Sequence, residues 1–380
     1  MPVANANGIE IAYESFGPED RETVLLIMGL GAQLTQWPIE LCEALVTRGY
    51  RVVRFDNRDV GLSSRIERGP LTPFPIALAS VMAGKPSFVP YTLGDMAADA
   101  IGLLDQLGIA RAHIVGASLG GMIAQLIAAD YPERTLSLTS IMSTSGNPLL
   151  PLPRPQVIGL FMSPAPSALN REAVISRGIK TYQTLGSPGF PTDQDTLRAW
   201  VMRDAARAYY PIGVMRQMAA VMTNGDRRPK LRKIRVPTVV LHGKDDPLVP
   251  VEAGRDTAAN IQGAELRIVP GMGHDIPLQL IDVFADAIVA AAKRASPEVV
   301  ALPAPAVVHA PVPPVEIEVV PEPMAIDEAA PEMAEAVPHI LDMPVLPLSA
   351  DGGVGTPRGG IASKIRGWVR RFLAWLHGRR

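Results

Sequence analysis

The sequence predicts an α/β protein in which a mostly parallel sheet carries helices on both faces. Three observations indicate this architecture. Short apolar runs alternate with helical patterns over the first 295 residues, the alternation stops between 147 and 232, and the composition changes near residue 296. Alternation of strands and helices favours a parallel sheet, because parallel neighbours need a crossover connection that is usually a helix.

The predicted sheet begins with an antiparallel pair of strands. Residues 9–14 alternate in polarity directly after Asn7 and Gly8, a pair typical of a tight hairpin turn. Buried strands are then predicted from apolar runs at 24–28, 52–55, 113–115, 136–142, 238–241 and 266–269. Helical patterns fall near 37–48, 93–107, 119–130 and 276–294, and Gly108 is the expected stop signal of the second.

The break in the alternation divides the core in two. Residues 1–146 and 233–295 are assigned to the core, and 147–232 to an inserted helical cap. The insertion opens with a proline-rich stretch and then shows helical patterns from about residues 168 and 194. A structureless loop of that length is uncommon in a compact domain, so a helical insertion is the better interpretation.

The C-terminal region has two parts of opposite charge. Residues 296–360 are rich in Pro, Ala, Val and Glu, carry ten acidic residues and have no Lys or Arg before Arg358, which predicts a disordered acidic linker. Residues 361–380 carry six Lys and Arg residues and no acid. Their apolar residues share one helical face: Ile361, Ile365, Trp368, Val369, Phe372, Leu373 and Leu376.

This basic amphipathic segment, 361–380, has three interpretations. It resembles helices that lie on anionic lipid surfaces, where tryptophans such as Trp368 and Trp375 suit the headgroup boundary. The alternatives are that it docks on a partner protein or on the chain's own acidic linker, or that it forms an unstructured end. The sequence therefore predicts a peripheral membrane or lipid-surface contact with these alternatives open.

Composition sets the expected location and excludes some partners. The formal net charge of −2 gives no reason to expect nucleic-acid binding. Cys42 is the single cysteine, so no disulfide forms within the chain, which fits a reducing compartment. The N-terminus lacks the basic and apolar regions of a secretory signal, and no run of about 20 apolar residues occurs. We therefore expect a cytoplasmic protein.

Residues 116–120 read Gly-Ala-Ser-Leu-Gly and match the pattern G-x-S-x-G, with Ser118 as the candidate nucleophile. The pattern also occurs in ordinary Gly/Ser turns, so its surroundings decide its meaning. Here a predicted strand precedes it, a predicted helix follows it, and Gly121 adds a third glycine. Side chains at the glycine positions would clash in a sharp strand-to-helix turn. We therefore expect a nucleophile elbow.

Two acids compete for the second place of a catalytic triad, which on this type of sheet follows the chain order Ser, acid, His. Asp246 lies three residues past Gly243, directly before a Pro-Leu-Val-Pro run, and is favoured. Asp245 would then be solvated or would cap a turn. His242 ends the predicted strand and is interpreted as a packed or hydrogen-bonded histidine.

His274 is the candidate general base, because it follows the last predicted strand in a glycine-rich loop that could reach the serine. The other histidines are less well placed, since His113 begins a strand and three lie in the C-terminal region: His309, His339 and His377. Acyl transfer also needs oxyanion donors. We expect the backbone N–H groups of Leu119 and of Leu30, the latter in the loop 28–31 (Met-Gly-Leu-Gly), with an ordinary tight turn as the alternative for these glycines.

With these motifs the sequence resembles the α/β-hydrolase superfamily, and within it bacterial esterases of the aclacinomycin methylesterase type. The resemblance covers residues 1–295 and is carried by 28–31, the elbow and three further runs: 55–63 (Phe-Asp-Asn-Arg-Asp-Val-Gly-Leu-Ser), 243–246 (Gly-Lys-Asp-Asp) and 273–274 (Gly-His). Many members have His where this chain has Met28, but the methylesterase branch shows the same replacement. The resemblance implies the α/β-hydrolase fold and a structural role for residues 56–59.

The resemblance also extends to the predicted cap, where residues 206–217 are similar to cap helices of such esterases. It makes five residues candidates for the substrate pocket: Met28, Gly29, Tyr209, Met215 and Met218. Met215, Met218 and Met222 fall at helical spacing, so core packing is the first interpretation of the methionines, and a flexible apolar wall over the substrate is the second.

Together these features predict a serine hydrolase that cleaves a carboxylic ester of a small or medium hydrophobic substrate through an acyl-enzyme. We expect no cofactor, no metal and a small-molecule ester as partner, and the oligomeric state stays open. Lactonase, C–C hydrolase and cofactor-free haloperoxidase activities share the triad and are alternatives. A non-catalytic binding protein is a further alternative, although it would not need Ser118, Asp246 and His274 together.

Overall fold

The computed structural model describes residues 1–67, 89–295 and 317–320 of the 380-residue chain. Its strands are β1 (Val3–Ala6), β2 (Ile9–Phe16), β3 (Thr23–Ile27), β4 (Arg51–Phe55), β5 (Ala112–Ala117), β6 (Thr135–Ile141), β7 (Thr238–Gly243), β8 (Ala264–Val269) and β9 (Glu318–Val320). Its helices are α1 (Ile39–Thr47), α2 (Leu93–Gln106), α3 (Leu119–Asp130), α4 (Pro155–Met162), α5 (Arg171–Leu185), α6 (Gln194–Arg207), α7 (Pro211–Asn224), α8 (Arg228–Leu231), α9 (Val251–Ala259) and α10 (Ile281–Ala295).

These nine strands form one sheet in the order β1-β2-β4-β3-β5-β6-β7-β8-β9. Strands β3 to β8 run parallel, whereas β1, β2 and β9 join antiparallel at the two edges. The turn between β1 and β2 has positive φ at Asn7 (50°) and Gly8 (76°), as a tight hairpin requires. The predicted antiparallel start and mostly parallel sheet are both confirmed.

Helices cover both faces of the sheet. Helices α1 and α10 pack on one face, where Trp37, Leu41 and Phe284 are fully buried. Helices α2 and α3 pack on the other, with Leu104 and Ile123 equally buried. The parallel strands are therefore enclosed on two sides, which explains why they read as continuous apolar runs in the sequence.

Five helices, α4 to α8, lie between β6 and β7, where the sequence predicts a helical insertion. Asn170 and Asp193 cap the N-termini of α5 and α6 with their side chains, and these are the two helical patterns expected there. Helix α4 was not predicted separately; it begins at Pro155, where a missing N–H costs no hydrogen bond. The boundaries of the cap as a domain stay a prediction.

Strand β9 departs from the predicted C-terminal linker. Glu318, Val319 and Val320 pair antiparallel with Ile268, Arg267 and Leu266 of β8, so these three residues are not an unpaired linker. The pairing satisfies main-chain groups that the edge of β8 would otherwise expose. The rest of 296–360 and the predicted helix 361–380 lie outside the described residues. No helix in the described part is long and apolar enough to cross a membrane.

Candidate active site

Ser118 occupies a strained turn between β5 and α3. Its φ of 57° and ψ of −119° lie where L-residues are rarely found. A Cβ atom at Gly116 would overlap the carbonyl group of Gly120, and one at Gly120 would overlap the carbonyl oxygen of Ile27. Glycine is therefore required at both positions, and the turn has the geometry expected of a nucleophile elbow.

The structure brings Ser118, His274 and Asp246 into one hydrogen-bonded line. The hydroxyl oxygen of Ser118 lies 3.0 Å from Nε2 of His274, and Nδ1 of His274 lies 2.7 Å from Oδ2 of Asp246. Because an ionised carboxylate only accepts hydrogen bonds, Nδ1 carries the proton and Nε2 accepts from the serine hydroxyl. His274 can therefore take up the proton that Ser118 must lose in order to attack.

Asp246 is held as a carboxylate by its surroundings. Its side chain is fully buried, and its Oδ1 accepts hydrogen bonds from the N–H groups of Leu248 (2.8 Å) and Val249 (2.7 Å). Burial alone would raise the pKa of Asp246, but His274 and the donor at Val249 outweigh it and lower that pKa. Asp246 therefore stays ionised beside His274.

The competing residues have other tasks. Asp245 accepts a hydrogen bond from the N–H of Gly271 (2.8 Å) and so caps the turn before His274. His242 is fully buried and donates through Nε2 to the carbonyl of Val249 at 2.8 Å. Burial lowers the pKa of His242, which keeps it neutral beneath the loop that carries Asp246.

The loop 28–31 passes directly over the nucleophile. A Cβ atom at Gly29 would lie 3.2 Å from Cβ of Ser118, so the main chain of this loop approaches the serine closely. Within the described part of the chain, the N–H groups of Leu30 and Leu119 donate no hydrogen bond to protein. Both N–H groups are therefore unpaired within that part of the chain, and their role as oxyanion donors stays a prediction.

Comparison with known proteins identifies this arrangement. Residues 22–279 match the family described as the alpha/beta hydrolase fold, which is more than half of the chain. The protein is a member of the α/β-hydrolase family.

Related proteins place this hydrolase more narrowly. It is 29% identical to a rhodomycin D methylesterase of Streptomyces peucetius, over 78% of this chain and 100% of the relative. It is 30% identical to a putative carbamate hydrolase of Caulobacter sp. (strain K31), over 72% and 91% of the two chains. A meta-cleavage product hydrolase from Pseudomonas fluorescens IP01 shares the fold with a TM-score of 0.61 at 18% identity, over 78% and 98%. The resemblance to methylesterases is confirmed.

The five pocket candidates of the hydrolase lie in different surroundings. Gly29 adjoins Ser118, and Met28 is buried in the hydrophobic cluster of the α1 and α10 face. The Tyr209 hydroxyl donates to the carbonyl of Pro166 within the cap at 2.8 Å. Met215 is 42% exposed, whereas Met218 is half-buried. Contact of these side chains with substrate stays a prediction.

Two polar residues of the cap support the site and escaped the sequence analysis. Ser187 accepts from the N–H of Gly273 at 2.9 Å and donates to Asp275, so it holds both neighbours of His274. Gln217 accepts from the N–H of Gly31 at 2.8 Å. Only the structure reveals Gln217, because the sequence does not show that it lies on the buried face of α7, one turn from Gly213.

The run 56–59 of the hydrolase is structural, as its family resemblance implies. Asp56 accepts from the N–H groups of Leu34 (2.8 Å) and Leu62 (2.9 Å) and pairs with Arg207 of the cap at 2.7 Å. Arg58 forms a two-pronged ion pair with Asp99, with both contacts at 2.6 Å. Among the described residues, no group of His, Cys, Asp and Glu side chains is arranged to hold a metal ion.

Proposed function

We propose that the protein is a serine hydrolase that cleaves carboxylic esters through an acyl-enzyme. The observation that carries the proposal is the continuous hydrogen-bonded line from Asp246 through His274 to Ser118 at a strained elbow. Esterases among the relatives support ester cleavage as the reaction. We propose a small or medium hydrophobic ester as the substrate: two relatives are named as methylesterases, which supports an ester, and the exposed apolar side chains of Ile212 and Met215 on α7 support a hydrophobic one.

The reaction follows from the atoms around Ser118. As Oγ attacks the ester carbonyl carbon, its proton passes to Nε2 of His274, and Asp246 stabilises the resulting imidazolium. The carbonyl oxygen becomes an oxyanion that accepts from the N–H groups of Leu30 and Leu119. When the tetrahedral intermediate collapses, His274 returns the proton to the departing alkoxide. Water then attacks the acyl-enzyme by the same route and releases the acid.

A fluorophosphonate probe and an ester panel test this proposal. The probe should label the wild type and not S118A, and S118A should lose ester hydrolysis by at least about 10³-fold. The panel varies acyl and alcohol chains separately and includes lactones, so that it separates esterase from lactonase activity. Folded wild-type protein that is neither labelled nor active on the panel would favour the binding-protein alternative and contradict our proposal.

We further propose a cytoplasmic protein that contacts an anionic lipid surface through residues 361–380. The support is the sequence alone: one apolar face, six basic residues and two tryptophans in this segment. Each basic residue near such a surface contributes about 1 kcal/mol. Docking on a partner protein is the alternative outcome.

Co-sedimentation with vesicles distinguishes these outcomes. At about 0.15 M salt, the full chain should pellet with vesicles that contain anionic lipid and remain in the supernatant with neutral vesicles. Higher salt should weaken the binding to anionic vesicles, since the attraction is electrostatic. A chain that ends at Pro357 should bind neither kind. Equal binding of the two chains to anionic vesicles would contradict this role of the segment.

A further inference from the structure

The two peptide groups that flank Leu30 are each held by a hydrogen bond. The carbonyl of Gly29, which belongs to the same peptide group as the Leu30 N–H, accepts from the N–H of Ala32 at 3.2 Å. In the next peptide group, the N–H of Gly31 donates to Oε1 of Gln217 at 2.8 Å. Because its own peptide group and the next one are both held, the direction of the Leu30 N–H is fixed.

Gln217 comes from the cap and lies 186 residues from Gly31 in the chain. It is fully buried, and its Nε2 donates to the carbonyl of Arg58 at 2.8 Å. One side chain therefore joins three segments, namely helix α7, the loop over the nucleophile and the loop after β4. Removing its polar atoms would leave the part-buried N–H of Gly31 and the buried C=O of Arg58 without these partners, which favours movement of the loops.

The helix that carries Gln217 cannot readily shift to compensate. The main chain of α7 touches the carbonyl of Asp59 at Gly213, where a Cβ atom would overlap that oxygen. Arg216 pairs with Asp59 at 3.3 Å, with both side chains buried. Val214 packs so closely against Gly31 that a Cβ atom there would lie 2.8 Å from Cγ2 of Val214. Oε1 of Gln217, which accepts from the N–H of Gly31, is therefore held in a fixed position.

We propose that Gln217 is a positioning residue of the oxyanion hole, acting through Gly31 on the N–H of Leu30; this rests on the proposed ester hydrolysis. Gln217 does not touch the reacting atoms. It holds the donor in the direction that the developing oxyanion needs, and it makes the cap part of the machinery that stabilises the transition state. Its loss should reduce kcat rather than substrate binding.

Two variants test the role. Q217L removes the acceptor and should lower kcat about 10- to 100-fold, less than the 10²–10³ typical of a lost oxyanion donor, while KM changes less than about threefold. In Q217E a protonated carboxyl can accept from Gly31 and donate to the Arg58 carbonyl, whereas the ionised form cannot donate. The kcat of Q217E, as a ratio to wild type, should therefore fall as the pH rises.

A boronic acid supplies a second readout. It adds to Oγ of Ser118 as the proton moves to His274, and one boronate oxygen takes the place of the oxyanion. Its affinity for Q217L should fall by about the same factor as kcat/KM. Q125L is the matched control, because Gln125 is also fully buried and bonded, to Ser140 and Arg227, away from the loop 28–31. Q125L should lose thermal stability and keep kcat within about twofold.

The outcomes separate the two proposals. Suppose that S118A abolishes activity while Q217L keeps the kcat and the boronate affinity of the wild type. That result would overturn the role of Gln217 and leave Ser118 as the nucleophile. An equal fall of kcat in Q217L and Q125L would also overturn it, since loss of stability would then explain both. A wild type that turns over no ester would count against the esterase, while boronate affinity would still report on Gln217.

Discussion

At the scale of single residues, burial and hydrogen-bond donors shift the pKa values of two nearby carboxyl groups in opposite directions. Asp246 receives two main-chain donors and the His274 ring, and its pKa is lowered despite burial. Asp275, next to the histidine, has its pKa raised by burial, against the hydrogen bonds from Ser187. Only the first carboxylate is therefore suited to stabilise an imidazolium.

The raised pKa of Asp275 predicts a pH-dependent effect of D275N on stability. Because the folded state holds the proton of Asp275 to higher pH than the unfolded state, ionisation costs the wild type stability as the pH rises above the usual value of 3.8. Asparagine cannot ionise and still accepts from Ser187. The free energy of unfolding of D275N, relative to wild type, should rise with pH from about 4 upward in urea titrations. A constant difference across that range would contradict the assignment.

At the scale of elements, helix α7 links the inserted helices to the loops around Ser118. Gly213 of this helix contacts the loop after β4, and Val214 packs on the loop 28–31. Gln217 forms hydrogen bonds to both loops. Helix α5 plays a similar part at the other side of the site, because the carbonyl of Leu185 accepts from the N–H of His274 at 2.7 Å. The inserted helices thus hold both His274 and the loop 28–31.

G213A tests how closely α7 must sit. The added methyl group would overlap the carbonyl oxygen of Asp59, so the helix or the loop must move. We expect a loss of about 1–3 kcal/mol in the free energy of unfolding, with a fall in kcat because Gln217 moves too. G159A in helix α4 is the control, since its Cβ meets nothing within 4 Å. It should raise stability by up to about 1 kcal/mol. Equal effects of the two changes would refute this packing argument.

At the scale of the whole molecule, buried charges join the cap helices to the core. Arg207 of α6 pairs with Asp56, which is fully buried, and Arg216 of α7 pairs with Asp59, also fully buried. A buried ion pair is costly to break from one side, because the remaining charge has no water to solvate it. These pairs hold the cap helices in register with the loops around the active site.

R207A should therefore destabilise the protein by about 3–5 kcal/mol. R198A is the matched control within the same helix, because the Arg198–Glu172 pair is exposed, at 46% and 66%. It should change the free energy of unfolding by less than about 1 kcal/mol. Thermal or denaturant unfolding compares the two variants directly. If R198A lowered the free energy of unfolding as much as R207A, burial would not explain the contribution of the Arg207–Asp56 pair to stability.

The sequence by itself determined the order of strands and helices in the core, because hydrophobic periodicity and turn residues are local signals. It also located Ser118, Asp246 and His274, since each follows a recognisable strand in a short motif. Helices α4, α8 and α9 and strand β9 were not predicted, because a proline-rich opening, a four-residue helix, a short small-residue segment and a three-residue strand give weak local patterns. Only the tertiary structure decided which cap residues reach the site. The bonds of Gln217 to Gly31 and of Ser187 to Gly273 join residues 186 and 86 positions apart, and no local pattern encodes such long-range geometry.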